Sequence, residues 1–151
     1  MILVSSCLAG MRCRYNATAC LEKKIEELVD QDKAVMLCPE MLGGFTTPRE
    51  PAEIIGGTGS EVLEGTARVV EKSGKDVTDL YIKGAYQTLE IAKKMKASAI
   101  ILKEFSPSCG TKMIYDGSFG NKKVAGEGVT AALLKREGFN VMSEKDSVKF
   151  D

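Results

Sequence analysis

With 151 residues the chain has room for one domain, and 44 % apolar against 28 % charged residues is the balance of a globular protein. Lys and Arg number 21 and Asp and Glu 21, so the formal charge is zero, which disfavours a binder that works by neutralising nucleic-acid phosphates. There is no His and no Trp. That excludes imidazole as a general base, the Ser-His-Asp and Cys-His hydrolases, and every His-containing zinc or facial-triad iron site. The 5 cysteines become the natural carriers of chemistry.

In chain order, Met1-Ile2-Leu3-Val4-Ser5 reads as a buried parallel strand. From Leu21 the pattern turns helical, with Leu21, Ile25, Leu28 and Val29 on one face and Lys and Glu on the other. Ala34-Val35-Met36-Leu37 is a second strand, and Glu40 to Arg49, rich in Gly, Thr and Pro, reads as loop. Ile54-Ile55 and Ala67-Arg68-Val69-Val70 flank Gly56-Gly57-Thr58-Gly59 and suggest a small antiparallel excursion, with Lys75-Asp76-Val77 closing a hairpin. Thr78 or Asp79 can cap a long helix whose buried stripe is Tyr81, Ala85, Leu89, Ala92 and Met95.

Ala99-Ile100-Ile101-Leu102 is the third strand, and Asp116-Gly117 in the loop beyond it signals a tight hairpin turn. Val129 to Arg136 reads as a helix stopped by Gly138, Phe139-Asn140-Val141-Met142 as the fourth strand, and 143–151 as a flexible tail. The alternation predicts a single α/β domain over 1–151. Its expected architecture is a Rossmann-like parallel sheet of about four strands flanked by helices, with a small antiparallel hairpin excursion. The first residues lack the charged start and the roughly 7–15 apolar residues of a secretory signal. No run approaches the roughly 20 apolar residues that span a bilayer. A cytoplasmic protein without a membrane partner is expected, and in that compartment disulfides are uncommon.

The cysteines then acquire a pattern. Cys7 lies two residues past the first strand, Cys38 directly after the second, and Cys109 in the loop after the third. In an open parallel sheet the loops at the carboxyl ends of the strands form the ligand crevice, so these three should meet at one edge. Each could instead be a small buried hydrophobe. Their neighbours, Pro39-Glu40 and Ser106-Pro107-Ser108, are those of turns and not of a core. Cys13, between Arg12 and Arg14, has a thiolate-favouring setting and can approach the same place, or be a plain loop thiol. Cys20 is read as incidental. Thiolate-rich sites hold zinc or an iron–sulfur cluster. Structural zinc prefers close cysteine pairs such as C-x2-C, which are missing, and dispersed single thiolates suit a cluster better. With three thiolates, one iron of a four-iron cluster would lack a protein ligand and could act as a Lewis acid. Gly126-Glu127-Gly128-Val129-Thr130-Ala131 fits the G-x-G-x-x-A dinucleotide pattern, but it lies late in the chain after a charged loop, and is better read as a helix N-terminus whose free N–H groups could face an anion, the cluster or a substrate phosphate.

Together, Ser5-Ser6-Cys7-Leu8-Ala9-Gly10 with Cys13-Arg14-Tyr15, Cys38-Pro39-Glu40 with Gly43-Gly44 and Thr47-Pro48-Arg49, Ser106-Pro107-Ser108-Cys109-Gly110 with Ile114-Tyr115-Asp116-Gly117, and Gly126-Glu127-Gly128-Val129 resemble the thiouracil desulfurase family. The resemblance runs in order from about residue 1 to residue 142. One departure is Asn16-Ala17, where the family usually continues with Asp-Gly.

What the resemblance implies is a [4Fe-4S]-dependent enzyme that removes sulfur from a thiolated uracil base or nucleotide, without net redox change, to give the oxo form and sulfide. Carried over by motif, the cluster ligands would be Cys7, Cys38 and Cys109, with Cys13 as a neighbour of unassigned role. Glu40 and Ser106 match the catalytic acid/base positions. Arg49, Gly126 and Gly128 are candidates for substrate binding. The zero net charge favours a small-molecule thiolated nucleobase or nucleotide over nucleic acid as partner. The alternative function is a cysteine-coordinated metal or cluster binding module without turnover.

Overall fold

The computed structural model describes residues 1–6, 23–44 and 50–143. Four parallel strands form the central sheet: β1 (Ile2–Ser5), β2 (Ala34–Leu37), and, numbered in chain order, β5 (Ala99–Leu102) and β8 (Val141–Ser143). Their spatial order is β2-β1-β5-β8, and every pairing is parallel. The expected parallel sheet is therefore present.

Both faces of this sheet are covered, as the alternation in β1 requires. Leu3, Ile100 and Leu102 belong to the main core with Tyr81, Ala85, Leu89 and Ala92 of α4 (Thr78–Met95) and Leu133 and Leu134 of α5 (Val129–Arg136). Val4, Ala34 and Ile101 point to the other face, where Leu28 and Val29 of α1 (Lys23–Asp30) pack on them. Gly138, at φ +89°, follows the end of α5 as expected of a helix-stopping glycine.

Two antiparallel pairs lie outside the sheet. β3 (Ala52–Ile55) pairs with β4 (Arg68–Glu71), and the isolated bridge from Val70 to Asp76 supplies the closing contact expected at Lys75-Asp76-Val77. β6 (Met113–Tyr115) pairs with β7 (Lys123–Ala125).

Several expectations need correction. The loop predicted from Glu40 begins instead as a one-turn helix, α2 (Pro39–Leu42), because Pro39 at its first position is pre-set for helical φ and Cys38 before it is held extended. A second short helix, α3 (Gly59–Glu64), fills the β3–β4 connection. Its signal was in the sequence as Thr58-x-x-Glu61: the Glu61 carboxylate accepts from the Thr58 N–H at 2.9 Å, one arm of a capping box. Neither Thr78 nor Asp79 caps α4. Asp76 does so by accepting from the Thr78 N–H at 2.9 Å, and the Thr78 hydroxyl is turned back to accept from the Val69 N–H. Asp116-Gly117 opens the longer connection 116–122 and not a tight turn, because Gly117 (φ +92°) is pressed against β3, where an added Cβ would lie 2.7 Å from the Ile54 carbonyl oxygen. Ser143, placed at the start of the tail, is the buried last residue of β8.

Candidate active site at the carboxyl edge of the sheet

The chain leaves β1 in one direction to form β2 and crosses back to form β5, so the topological switch point lies between β1 and β5. Ligands bind outside the carboxyl ends of the strands at such a point. A cavity of about 250 Å³ sits there, lined by Ser5 from the end of β1, Cys38 and Glu40 from the end of β2, and Ser106 and Cys109 from the segment after β5. Four of the sequence-predicted site residues, Cys38, Glu40, Ser106 and Cys109, thus share one cavity. Cys7, Cys13, Cys20 and Arg49 lie outside the described residues. Among the described residues, no group of three His, Cys, Asp or Glu is gathered tightly enough to hold one metal ion.

Glu40 reaches the cavity because α2 is pressed hard against α4. A Cβ on Gly43 would collide with the Leu80 carbonyl, and one on Gly84 would collide with the Pro39 carbonyl. Only paired glycines allow that approach. It brings Glu40 beside Tyr81, whose phenol donates to Glu40 Oε2 at 2.8 Å. Tyr81 was expected only as a core residue of the α4 stripe. Its ring is buried as expected, and its hydroxyl carries this second role.

Cys109 is held by a tight turn. Ser106 Oγ accepts from the Cys109 N–H at 2.7 Å, and the Ser106 carbonyl accepts from the Gly110 N–H at 3.0 Å. The turn also serves as the cap of α5. Val129 N–H donates to the Pro107 carbonyl at 2.8 Å, Thr130 N–H to the Ser108 carbonyl at 2.9 Å, and Gly128 N–H to the Gly110 carbonyl at 2.8 Å. Ser108 and Thr130 hydroxyls bond at 2.8 Å beneath. The expectation that this helix end faces an anion is therefore corrected: its N–H groups are spent on backbone carbonyls of the cysteine turn. Gly126 and Gly128 do not line the cavity. Gly128 is needed for close approach, since a Cβ there would lie 2.5 Å from the Ser108 carbonyl carbon.

Two further carboxylates at the cavity were not singled out in the sequence. Glu104, only 5 % exposed, accepts from Thr111 N–H at 2.6 Å, Thr111 Oγ1 at 2.9 Å, Lys112 N–H at 3.1 Å and Met113 N–H at 3.3 Å. Burial by itself would raise its pKa, but these bonds together outweigh that penalty and hold the carboxyl below its ordinary value. Glu53, buried in β3, accepts from Gly117 N–H at 2.9 Å and Phe119 N–H at 3.2 Å. The signal for Glu104 was its place two residues past a buried strand. Glu53 had none, because its partners are more than sixty residues away and on another hairpin.

Over residues 2–146 the sequence matches the 2-thiouracil desulfurase family. The chain belongs to that family. The uncharacterized protein YbbK of Bacillus subtilis (strain 168) is 63 % identical over 146 residues, covering 97 % of each chain. Among solved structures, the [4Fe-4S]-dependent thiouracil desulfidase TudS superposes with a TM-score of 0.86 at 38 % identity, over 98 % of this chain and 93 % of that one. The resemblance read from the motifs is borne out along almost the whole length of the family match.

Proposed function

We propose that this chain is a [4Fe-4S]-dependent desulfurase acting on a thiolated uracil base or nucleotide. The reaction exchanges the thiocarbonyl sulfur for water oxygen: a thiocarbonyl and one water become a carbonyl and one hydrogen sulfide, with no electron transferred to or from an outside reagent. The observation that carries this reading is the meeting of Cys38, Cys109, Glu40 and Ser106 around one cavity in a chain of the 2-thiouracil desulfurase family.

The donor set fits the cluster. Cys38 and Cys109 are both buried at the cavity, and they come from separate strand ends, as suits a cluster held by dispersed thiolates. Ser5 lines the same edge two positions before Cys7. Cys7, Cys38 and Cys109 would be its ligands, with Cys13 as a neighbour. When bound, the cluster supplies a Lewis-acidic iron for a soft thiocarbonyl sulfur.

The protein's own groups supply the proton chemistry. Glu40 takes the proton of the water that attacks the thiocarbonyl carbon, and the Tyr81 phenol fixes the direction of its carboxylate. Ser106 accepts from the Cys109 N–H, so its own hydroxyl proton is the one it has to donate, toward a ring nitrogen or the nascent oxygen of the substrate. The cavity is small beside the roughly 300–1,000 Å³ of drug-sized sites, which supports a small molecule over a polymer. The zero net charge supports the same choice. No helix among the described residues is long and apolar enough to cross a membrane.

Anaerobic reconstitution with iron and sulfide tests the proposal. It should give a brown protein that converts 2- or 4-thiouracil, or the corresponding thiouridine monophosphate, to the oxo compound with stoichiometric sulfide. A brown protein that leaves all of these unchanged would point to a binding module without turnover, and a colourless protein holding only zinc would overturn the cluster.

A further inference from the structure

Phenylalanine seldom adopts a positive φ, because its Cβ then crowds the backbone. Among the described non-glycine residues with positive φ, Asp32 and Lys96 lie at the ends of α1 and α4, where such values terminate helices. The other three, Phe105 (φ +76°), Phe119 (φ +57°) and Asn121 (φ +62°), all line the cavity at the carboxyl edge. Asn tolerates this conformation, but phenylalanine does not do so without support. Backbone strain of this kind persists only where the surroundings over-determine it, and it gathers at ligand sites.

The support is the same at both phenylalanines. Phe105 N–H donates to the buried Glu104 carboxylate at 3.3 Å, and Phe119 N–H donates to the buried Glu53 carboxylate at 3.2 Å. Two buried carboxylates on different elements thus each hold the backbone of a strained phenylalanine at the cavity wall. Phe105 has further bracing. It forms an isolated bridge with Ile114, the Tyr115 ring lies 6.4 Å away at a tilt of 53°, and Lys123 Nζ stands 4.0 Å from its ring centroid. Neither phenylalanine belongs to the buried core, since both are half-buried. Core packing therefore does not account for their conformation.

We propose that Phe105 and Phe119 are specificity-determining residues that present flat apolar faces to the plane of an unsaturated heterocycle. Glu104 and Glu53 act through them as positioning residues. This rests on the functional reading above and deepens it: the site selects its substrate by ring planarity, in addition to the sulfur that marks the reacting carbon. Stacking on an aromatic side chain suits any pyrimidine, because each has a π-face.

The test uses the reconstituted holoenzyme and compares uracil with 5,6-dihydrouracil, whose saturated C5–C6 bond puckers the ring and interrupts that face. Wild type should bind uracil about 10-fold more tightly than dihydrouracil by calorimetry. Phe105→Leu and Phe119→Leu keep apolar bulk but lose the flat face. In each the preference should shrink toward unity, with KM for thiouracil raised by about 10-fold and kcat changed by less than about threefold. Phe105→Tyr and Phe119→Tyr, which retain the ring, should restore both values. Iron content is measured for every variant, and because the two residues lie on different elements, one carries the test should the other variant lose its cluster. Leu variants that keep the wild-type preference, or Tyr variants that lose it, overturn the proposal while leaving the desulfurase reading intact. A wild type that neither binds uracil nor converts thiouracil removes that reading, and this inference with it.

Discussion

Tyr81, at the fourth position of α4, donates its phenol to Glu40 Oε2 at 2.8 Å and so joins the long helix to the first turn after β2. The bond crosses 41 residues of sequence and fixes the carboxylate at the cavity where Cys38 and Cys109 meet. Tyr81→Phe removes that bond and leaves the buried ring in place. Iron and sulfide content should be unchanged while turnover falls by about 10- to 100-fold, the usual cost of a misplaced catalytic group. Glu40→Gln should go further, lowering kcat by about 10²–10⁴-fold with the brown colour retained. Loss of colour in Glu40→Gln equal to that in Cys38→Ala would make Glu40 a ligand or a structural prop instead.

Replacement of Cys7, Cys38 or Cys109 by Ala should abolish stable cluster binding, since a three-thiolate site has no spare protein ligand. Cys13→Ala decides the fourth cysteine: retained iron and retained turnover make it a bystander, and lost iron makes it a ligand. Ser106→Ala removes both the proposed proton donor and the acceptor for the Cys109 N–H. Its turnover should fall by about 10²-fold or more, and its cluster should be less stable to dilution than that of Glu40→Gln.

Glu104 ties stability to pH. Its folded-state carboxyl titrates below its ordinary value, so the unfolded chain binds the proton more tightly. The stability it contributes is therefore present above the unfolded carboxylate pKa and is lost as pH falls through the folded one. In the cluster-free protein, melting temperature should drop on the acid side of about pH 4.3, and Glu104→Gln should flatten that slope. Glu104→Ala leaves several buried donors unpaired and should cost about 3 kcal/mol at neutral pH. For a chain of this size that lowers the melting temperature by roughly 6–12 °C.

Gly128→Ala should act on the cysteine turn from behind. The added methyl would lie 2.5 Å from the Ser108 carbonyl carbon and 2.8 Å from the Cys109 nitrogen, so α5 or the turn must yield. Denaturant unfolding should show a loss of about 1–3 kcal/mol, the ordinary cost of overpacking. Iron occupancy should fall with it. A variant as stable and as iron-rich as wild type would show that the turn does not depend on this close approach.

The sequence by itself determined the sheet and where its chemistry gathers. Short apolar runs alternating with helical stripes leave little choice but a covered parallel sheet, and in such a sheet every strand ends at the same edge. Cys38 and Cys109, which follow the ends of two of these strands, are therefore placed at that edge by the sequence pattern. What only the tertiary structure decided are the partners of side chains that meet across elements. Glu40 finds Tyr81 because Gly43 and Gly84 let two helices touch. Glu53 finds Phe119 because a hairpin tip folds down onto β3. The N–H groups of α5 looked open to an anion in the sequence and turned out to be taken by the Pro107–Gly110 backbone. Local pattern specifies which face of an element is apolar, but a hydrogen bond needs two groups within about 3 Å, and that distance is set by how closely the elements pack.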